Sequence, residues 1–170
     1  MSTLGLGFRT LDPHVDEGSI VTTDPATTAM ARAEAKALAA SASEPDAMVV
    51  AADTVVDLEG EILDKAADEA DVAQMLSRLS GREHRVITAV AVRYPGIDDA
   101  LVQVDVATLT FRELEEGEIE AYAGTGEGVG KAGGYAYQGR GQWLVEEMDG
   151  DPETVIGLPT RVVARMIEDL

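Results

Sequence analysis

Ala47-Met-Val-Val-Ala-Ala52-Asp53 is an unbroken apolar run closed by a carboxylate. A run this short, with no helical spacing, is the pattern of a strand buried on both faces, and the expectation for such a strand is a parallel sheet. On this reading Asp53 stands at the carboxyl end of a buried strand, where open α/β sheets bind their ligands. The plainer alternative is an aspartate that caps the next turn. Thr54–Leu58 and Glu61–Leu63 follow as strands on either side of Glu59-Gly60, which reads as a hairpin turn. Upstream, Asp24 is a capping residue, Pro25 suits a first turn and alanines run on to Ser41, so residues 24–42 read as a helix. Downstream, Asp68–Leu79 carries Val72, Met75, Leu76 and Leu79 at helical spacing and stops before Gly81. Arg85–Tyr94 and Leu101–Phe111 alternate and are rich in valine, as two antiparallel strands would be. A short helix over Glu115–Ala123, a glycine-rich stretch, a strand over Trp143–Met148 and an amphipathic helix over Leu158–Leu170 complete the chain. This alternation predicts an α/β fold, a mixed sheet with flanking helices.

Composition bounds the function. At 170 residues with 45% hydrophobic content, the chain suits one globular domain, with room for two lobes around a cleft. No apolar run approaches the roughly 18 residues of a membrane helix, and no basic-then-apolar leader opens the chain, so no membrane partner is expected. The absence of cysteine excludes disulfides and thiolate metal sites, and two histidines are too few for an ordinary zinc site. A cytoplasmic protein is the natural expectation. The net charge of −19 argues against nucleic acid, because backbone binding requires clustered Lys and Arg. An acidic excess with few lysines suits a high-salt cytoplasm, where charges are screened within a few ångströms.

The lysines are the sharper signal. The chain has three, Lys36, Lys65 and Lys131, and each lies in a segment that also carries candidate chemistry. Carboxylates such as Glu17 and Asp53 can hold a divalent metal and steer water, while lysines neutralise phosphate oxygens. Alone, Glu17 reads as a solvated carboxylate and Lys36 as an ordinary exposed helix residue. Residues 124–141 contain eight glycines, and Gly128-Val-Gly130-Lys-Ala-Gly133 formally matches a dinucleotide fingerprint. The match fails on context, since it follows a helix rather than a strand. It is no phosphate-binding Walker loop either, because Ala132 follows Lys131. What remains is a loop that lets a ligand approach the backbone closely, with Tyr135, Tyr137 and Gln138 as possible base contacts.

Five ordered segments then resemble one family. They are Ala52-Asp-Thr-Val-Val56, Gly60-Glu-Ile-Leu-Asp-Lys65, Leu79-Ser-Gly-Arg-Glu-His84-Arg-Val-Ile-Thr88, Lys131-Ala-Gly-Gly-Tyr-Ala-Tyr-Gln138-Gly139 and Gly150-Asp-Pro-Glu-Thr-Val-Ile-Gly157-Leu-Pro159. Together they are similar to the Maf family of metal-dependent nucleoside triphosphate pyrophosphatases. The resemblance implies a cleft fold similar to that of inosine triphosphatases, spanning 1–170 as a single Maf-like domain. It implies cleavage of the α–β phosphoanhydride of a nucleoside triphosphate with Mg²⁺ or Mn²⁺, and homodimers as in many family members. Asp53 matches the proposed general base, and Thr54 and Gln138 match positions tied to base choice. Glu17, Lys36 and Lys65 match polar residues of the nucleotide and metal site, with Glu17 and Asp53 as the metal carboxylates. The Lys-Ala-Gly-x-Tyr-x-x-Gln-Gly pattern resembles the dTTP/UTP branch.

The resemblance departs in three places. Asp64 stands where the family usually has glycine, and Ala66 where it has proline. Family members also begin with a strand and a Ser-x-Ser-Pro-Arg-Arg-like phosphate loop, whereas Met1-Ser-Thr-Leu-Gly-Leu-Gly-Phe8 matches only after that loop. Losing them would leave a sheet neighbour unpaired. A start codon assigned too late accounts for this and is the expectation; a degenerate member that binds nucleotides or a cell-division partner without turnover is the alternative. Charge supplies a test that needs no fold. With 32 acidic against 13 basic side chains, self-repulsion is relieved by screening, so the melting temperature should rise as KCl goes from about 0.1 M towards about 2 M. A lower melting temperature in concentrated KCl contradicts the salt-adapted reading.

Overall fold

The turn at Glu59-Gly60 is the most local instruction in the sheet. Both residues adopt positive φ, 57° and 91°, and fold strand β1 (Val49–Leu58) back onto β2 (Glu61–Leu63). The computed structural model describes residue 5 and residues 7–168, so most of the opening segment that departs from the family pattern, and the last two residues of the expected closing helix, lie outside the described residues. Strands β3 (Glu83–Arg93), β4 (Leu101–Phe111) and β5 (Val145–Asp149) complete one sheet in the order β2-β1-β3-β4-β5.

Every ladder of that sheet is antiparallel, which corrects the parallel strand expected at 47–52 and the mixed sheet built on it. An apolar run reports burial on two faces and says nothing about the direction of its neighbour. Here helix α1 (Pro25–Ser43) covers one face of β1 and β3, while α4 (Pro152–Ile156) and α5 (Thr160–Glu168) pack on β3 and β4 from the other. The expectation for Asp53 changes too. It sits in mid-strand, opposite Ala89, rather than at a strand end.

Strand alternation sorts the core into layers. Val55, Ile87, Ala89 and Ala91 face Ala29, Ala33 and Ala37 of α1, whose small side chains allow close approach. On the opposite face Val56, Val86, Ala107 and Leu109 meet Val72, Leu76 and Leu79 of α2 (Glu69–Leu79), and Val90 and Val92 meet Val162, Val163 and Met166 of α5. The helix caps follow the sequence. Asp24 accepts from the Thr27 amide at 2.8 Å and Asp68 from the Asp71 amide at 2.9 Å. Helix α3 (Glu116–Ala123) opens on a reciprocal capping box between Glu115 and Glu118.

Several boundaries differ from expectation: β3 begins at Glu83 rather than Arg85, and the strands expected on either side of Asp53 are one. Trp143 belongs to a 3₁₀ turn, Arg140–Leu144, rather than to β5. Arg112 accounts for this: its guanidinium lies 3.5 Å from the Trp143 ring centroid and its Nε donates to the Trp143 carbonyl at 3.1 Å. The closing helix begins at Thr160 rather than at Leu158, because Leu158 precedes proline and is disfavoured in helical geometry. Helix α4 was not expected; it ends at Gly157, whose φ of 109° suits a left-handed cap. Among the described residues, no helix is long and apolar enough to cross a membrane.

His84 lies at the centre of the α2 layer, 2% exposed, edge-on to the rings of Phe111 and Tyr135. Its Nε2 shares a hydrogen bond of 2.9 Å with the Tyr135 hydroxyl. Burial penalises the imidazolium and holds its pKa down, from the ordinary 6.5 to about 4. A depressed folded pKa means the unfolded chain binds the proton first, so stability is full above pH 6.5 and falls as pH drops towards 4. The lost contribution is on the order of 3 kcal/mol at 1.36 kcal/mol per unit. The expected outcome is that the stability gap between the parent and His84→Gln, measured by urea unfolding, narrows by up to that amount between pH 7 and pH 4. A gap that does not change with pH would show that His84 is not held neutral.

Candidate active site

Strand β2 is much shorter than β1 and covers only its carboxyl end. Only Val56–Leu58 pair with β2, so among the described residues the β2-facing edge of Val49–Val55 lacks a strand neighbour. Alternation sends Asp53 towards α1 and Thr54 towards α4, on opposite faces of the same edge. A cavity of about 210 Å³ wraps that edge and touches both side chains. Its polar side carries Lys36, Asp53, Lys65 and Lys131; its apolar side carries Val56, Val86, Val155 and Ile156. A larger groove of about 650 Å³, lined by Phe8, Leu11, Met48 and Val50 among others, continues along the edge and shares Lys36 and Ala52 with it.

Lys36 organises the polar side. Its ammonium donates to Asp53 Oδ1 at 2.7 Å and to the Ala52 carbonyl at 3.2 Å, and pairs with Glu17 Oε1 at 2.8 Å. Three donors meet three acceptors, which is the full capacity of an ammonium. The reading of Lys36 as an ordinary exposed helix residue is therefore set aside. Glu17 arrives on a 3₁₀ turn, Glu17–Ser19, and its second oxygen accepts from Lys65. Arg32, one helical turn before Lys36, is also buried and donates to Asp64 at 2.8 Å. That pair gives the unusual Asp64 a partner.

Electrostatics separates the two carboxyls. Burial raises Asp53 above its ordinary value, and the opposing charge of Lys36 does not cancel that effect. Burial pushes Glu17 up as well, but the hydrogen bonds and charges of Lys36 and Lys65 outweigh it and hold Glu17 low. The same two carboxylates raise Lys36 against its own desolvation. Asp53 is 4% exposed and its Oδ2 has no hydrogen-bond partner. A buried, unpaired carboxylate oxygen beside a cavity is a place for water or a cation.

The glycine-rich loop forms the opposite wall by pairing with the chain after β2. The Gly130 amide donates to Ala66 O at 2.8 Å, Ala66 to Lys131 O at 3.2 Å and Gly133 to Leu63 O at 3.0 Å. Gly133 has φ 68°, and a Cβ there would meet Val56 Cγ2 at 2.9 Å, so the loop closes over β1 only with glycine. This holds Lys131 and the buried Tyr135 against the cavity.

The structure thus brings Lys36, Asp53, Thr54 and Lys65 together, with Glu17 bound to both lysines. It does not bring in Gln138, which is exposed and outside the cavity lining. Sequence reasoning missed Thr88, Val155 and Ile156. Thr88 is buried and hydrogen-bonds Thr54 at 2.8 Å, while Val155 and Ile156 come from the unexpected helix α4. The signal for α4 was present in Asp151-Pro152 followed by Gly157, a cap, a first-turn proline and a stop. Among the described residues, no cluster of three or more acidic or histidine side chains stands ready for a metal. Glu17 and Asp53, with the free Oδ2, nonetheless fit a Mg²⁺-like ion held by one or two carboxylates and completed by water and phosphate.

The profile of the family described as Maf-like protein matches residues 1–170. A dTTP/UTP pyrophosphatase of Deinococcus radiodurans is 42% identical over 168 residues, covering 98% of this chain and 84% of its own. One of Thermus thermophilus is 43% identical over 165 residues, covering 96% and 84%, and one of Aquifex aeolicus 38% over 170, covering 100% and 88%.

Proposed function

The chain belongs to the Maf family, and on that premise we propose that it is a nucleoside triphosphate pyrophosphatase acting on dTTP and UTP. Water attacks the α-phosphorus, the α–β anhydride breaks, and a nucleoside monophosphate and pyrophosphate leave. The observation that carries this reading is Asp53: one oxygen is fixed by Lys36, and the other is buried and unpartnered beside a cavity lined by lysines. A general base needs a pKa lifted towards the working pH, and burial supplies the lift. Asp53 Oδ2 takes the proton from the attacking water while Lys36 keeps the carboxyl aligned. Lys65 and Lys131 face the charge that develops on the leaving pyrophosphate.

Glu17 and Asp53 are the residues that would hold the divalent cation. When bound, it neutralises phosphate charge and helps to orient the reacting groups. A cavity of about 210 Å³ is smaller than the roughly 300–1,000 Å³ of small-molecule pockets, so it seats only part of the nucleotide. The apolar wall of Val155 and Ile156 suits the base, with Thr54 as its polar contact; Gln138, exposed outside the lining, would have to move to join it. Residues 1–170 work as one Maf-like domain, paired as a homodimer, in the cytoplasm where nucleoside triphosphates are used.

Pyrophosphate release from dTTP and UTP in concentrated KCl, with and without Mg²⁺, tests the activity. No release from either nucleotide would sink it. Asp53→Asn should keep the fold and cut turnover by about a hundredfold or more. Because the folded pKa is raised, activity of the parent should climb with pH through a limb above 3.8, and the variant should lack that limb. Turnover near that of the parent would remove Asp53 from the role. In a substrate panel dTTP and UTP should exceed ATP and GTP, and a purine triphosphate as best substrate would overturn the assignment.

A further inference from the structure

Thr54, Thr88 and Asp105 lie side by side across β1, β3 and β4, at paired positions on one face of the sheet. Thr154 of α4 sits over this row. Its hydroxyl donates to Asp105, whose carboxylate is also held by Arg161 at 2.7 Å. Its carbonyl accepts from Thr88 Oγ1 at 2.7 Å and from the Gly157 amide at 3.2 Å. Thr88 is fully buried, as is Thr154, so neither hydroxyl has water as an alternative partner.

These bonds can run in only one direction. A threonine hydroxyl has a single proton, and the Thr154 carbonyl has none to return. The Thr88 proton is therefore committed to Thr154. The 2.8 Å contact between Thr54 Oγ1 and Thr88 Oγ1 then requires Thr54 to donate. With its only proton turned inward, Thr54 offers the cavity lone pairs alone. Gly157 keeps the arrangement tight, since a Cβ there would meet Thr54 Oγ1 at 3.2 Å on a backbone of φ 109°.

We propose that Thr88 is a positioning residue that makes Thr54 an obligate hydrogen-bond acceptor, and so selects a base presenting an imide N–H. The inference rests on the reading of the cavity as a nucleotide site, and it goes further by specifying the discrimination. Uracil and thymine carry a proton on N3, whereas cytosine has a bare N3 that a lone pair repels. The apolar walls at Val56, Val86, Val155 and Ile156 suit the flat ring of a base better than a sugar. A mismatched acceptor pair is costly wherever neither group recovers its lost hydrogen bond.

UTP and CTP share the same sugar and phosphates, so their ratio isolates the base. In the parent, kcat/KM for UTP should exceed that for CTP. Thr88→Val keeps the side-chain shape and frees the Thr54 proton, so this ratio should fall at least about tenfold. Thr88→Ser retains the hydroxyl and should retain the ratio. The shift in melting temperature caused by UMP against CMP measures the same preference without hydrolysis. If the parent releases no pyrophosphate from UTP, the activity reading fails, and the UMP-to-CMP preference still decides the role of Thr88. If Thr88→Val does not fold, Thr88→Cys replaces it, with a weak thiol partner expected to reduce the ratio below that of Thr88→Ser. A parent without preference, or variants that all keep it, would overturn the proposal.

Discussion

The ammonium of Lys36 joins three parts of the chain at one point: the turn at Glu17, helix α1 and the open edge of β1. Buried charges persist only when paired and hydrogen-bonded, and this one meets three acceptors. Removing it would leave Glu17 and Asp53 facing each other with like charge. The same contact divides the labour of the carboxyls. Glu17 is shared between two lysines and stays ionised, while Asp53 lies deeper and keeps one oxygen free.

The open edge explains why the site lies where it does. A fully paired strand would present ladder hydrogen bonds to both neighbours and leave no room for a ligand. Because β2 covers only the last residues of β1, Ala52, Asp53 and Thr54 border the cavity along that edge. Consecutive residues then serve opposite purposes. Asp53 looks towards lysines and Thr54 towards an apolar wall, so a molecule with a charged end and a flat apolar end can straddle the strand.

Acidity and function are kept apart in space. The carboxylates of the site are paired with cations, and so are others within the fold, such as Asp57 with Arg85 and Asp105 with Arg161. Most of the remaining acidic surface is solvated and screenable. A polyanionic substrate therefore approaches a negative protein but meets a locally positive cavity, carrying Lys36, Lys65 and Lys131.

What the sequence by itself determined is local. The capped helices, the Glu59-Gly60 turn and the alternation of β3 and β4 were legible because propensity and periodicity act over a few residues. Asp53, Thr54 and Lys65 stood out in ordered motifs and Lys36 through the scarcity of lysine and the family resemblance; all four line one cavity, whereas Gln138 lies outside its lining. Only tertiary structure decided the direction of β1, since an apolar run encodes burial and leaves its partner open. The same holds for the Thr88 bond to Thr154, 66 positions away, and the His84 bond to Tyr135, 51 positions away. A hydrogen bond has no sequence period, and its partner and direction exist only once the chain has closed around it.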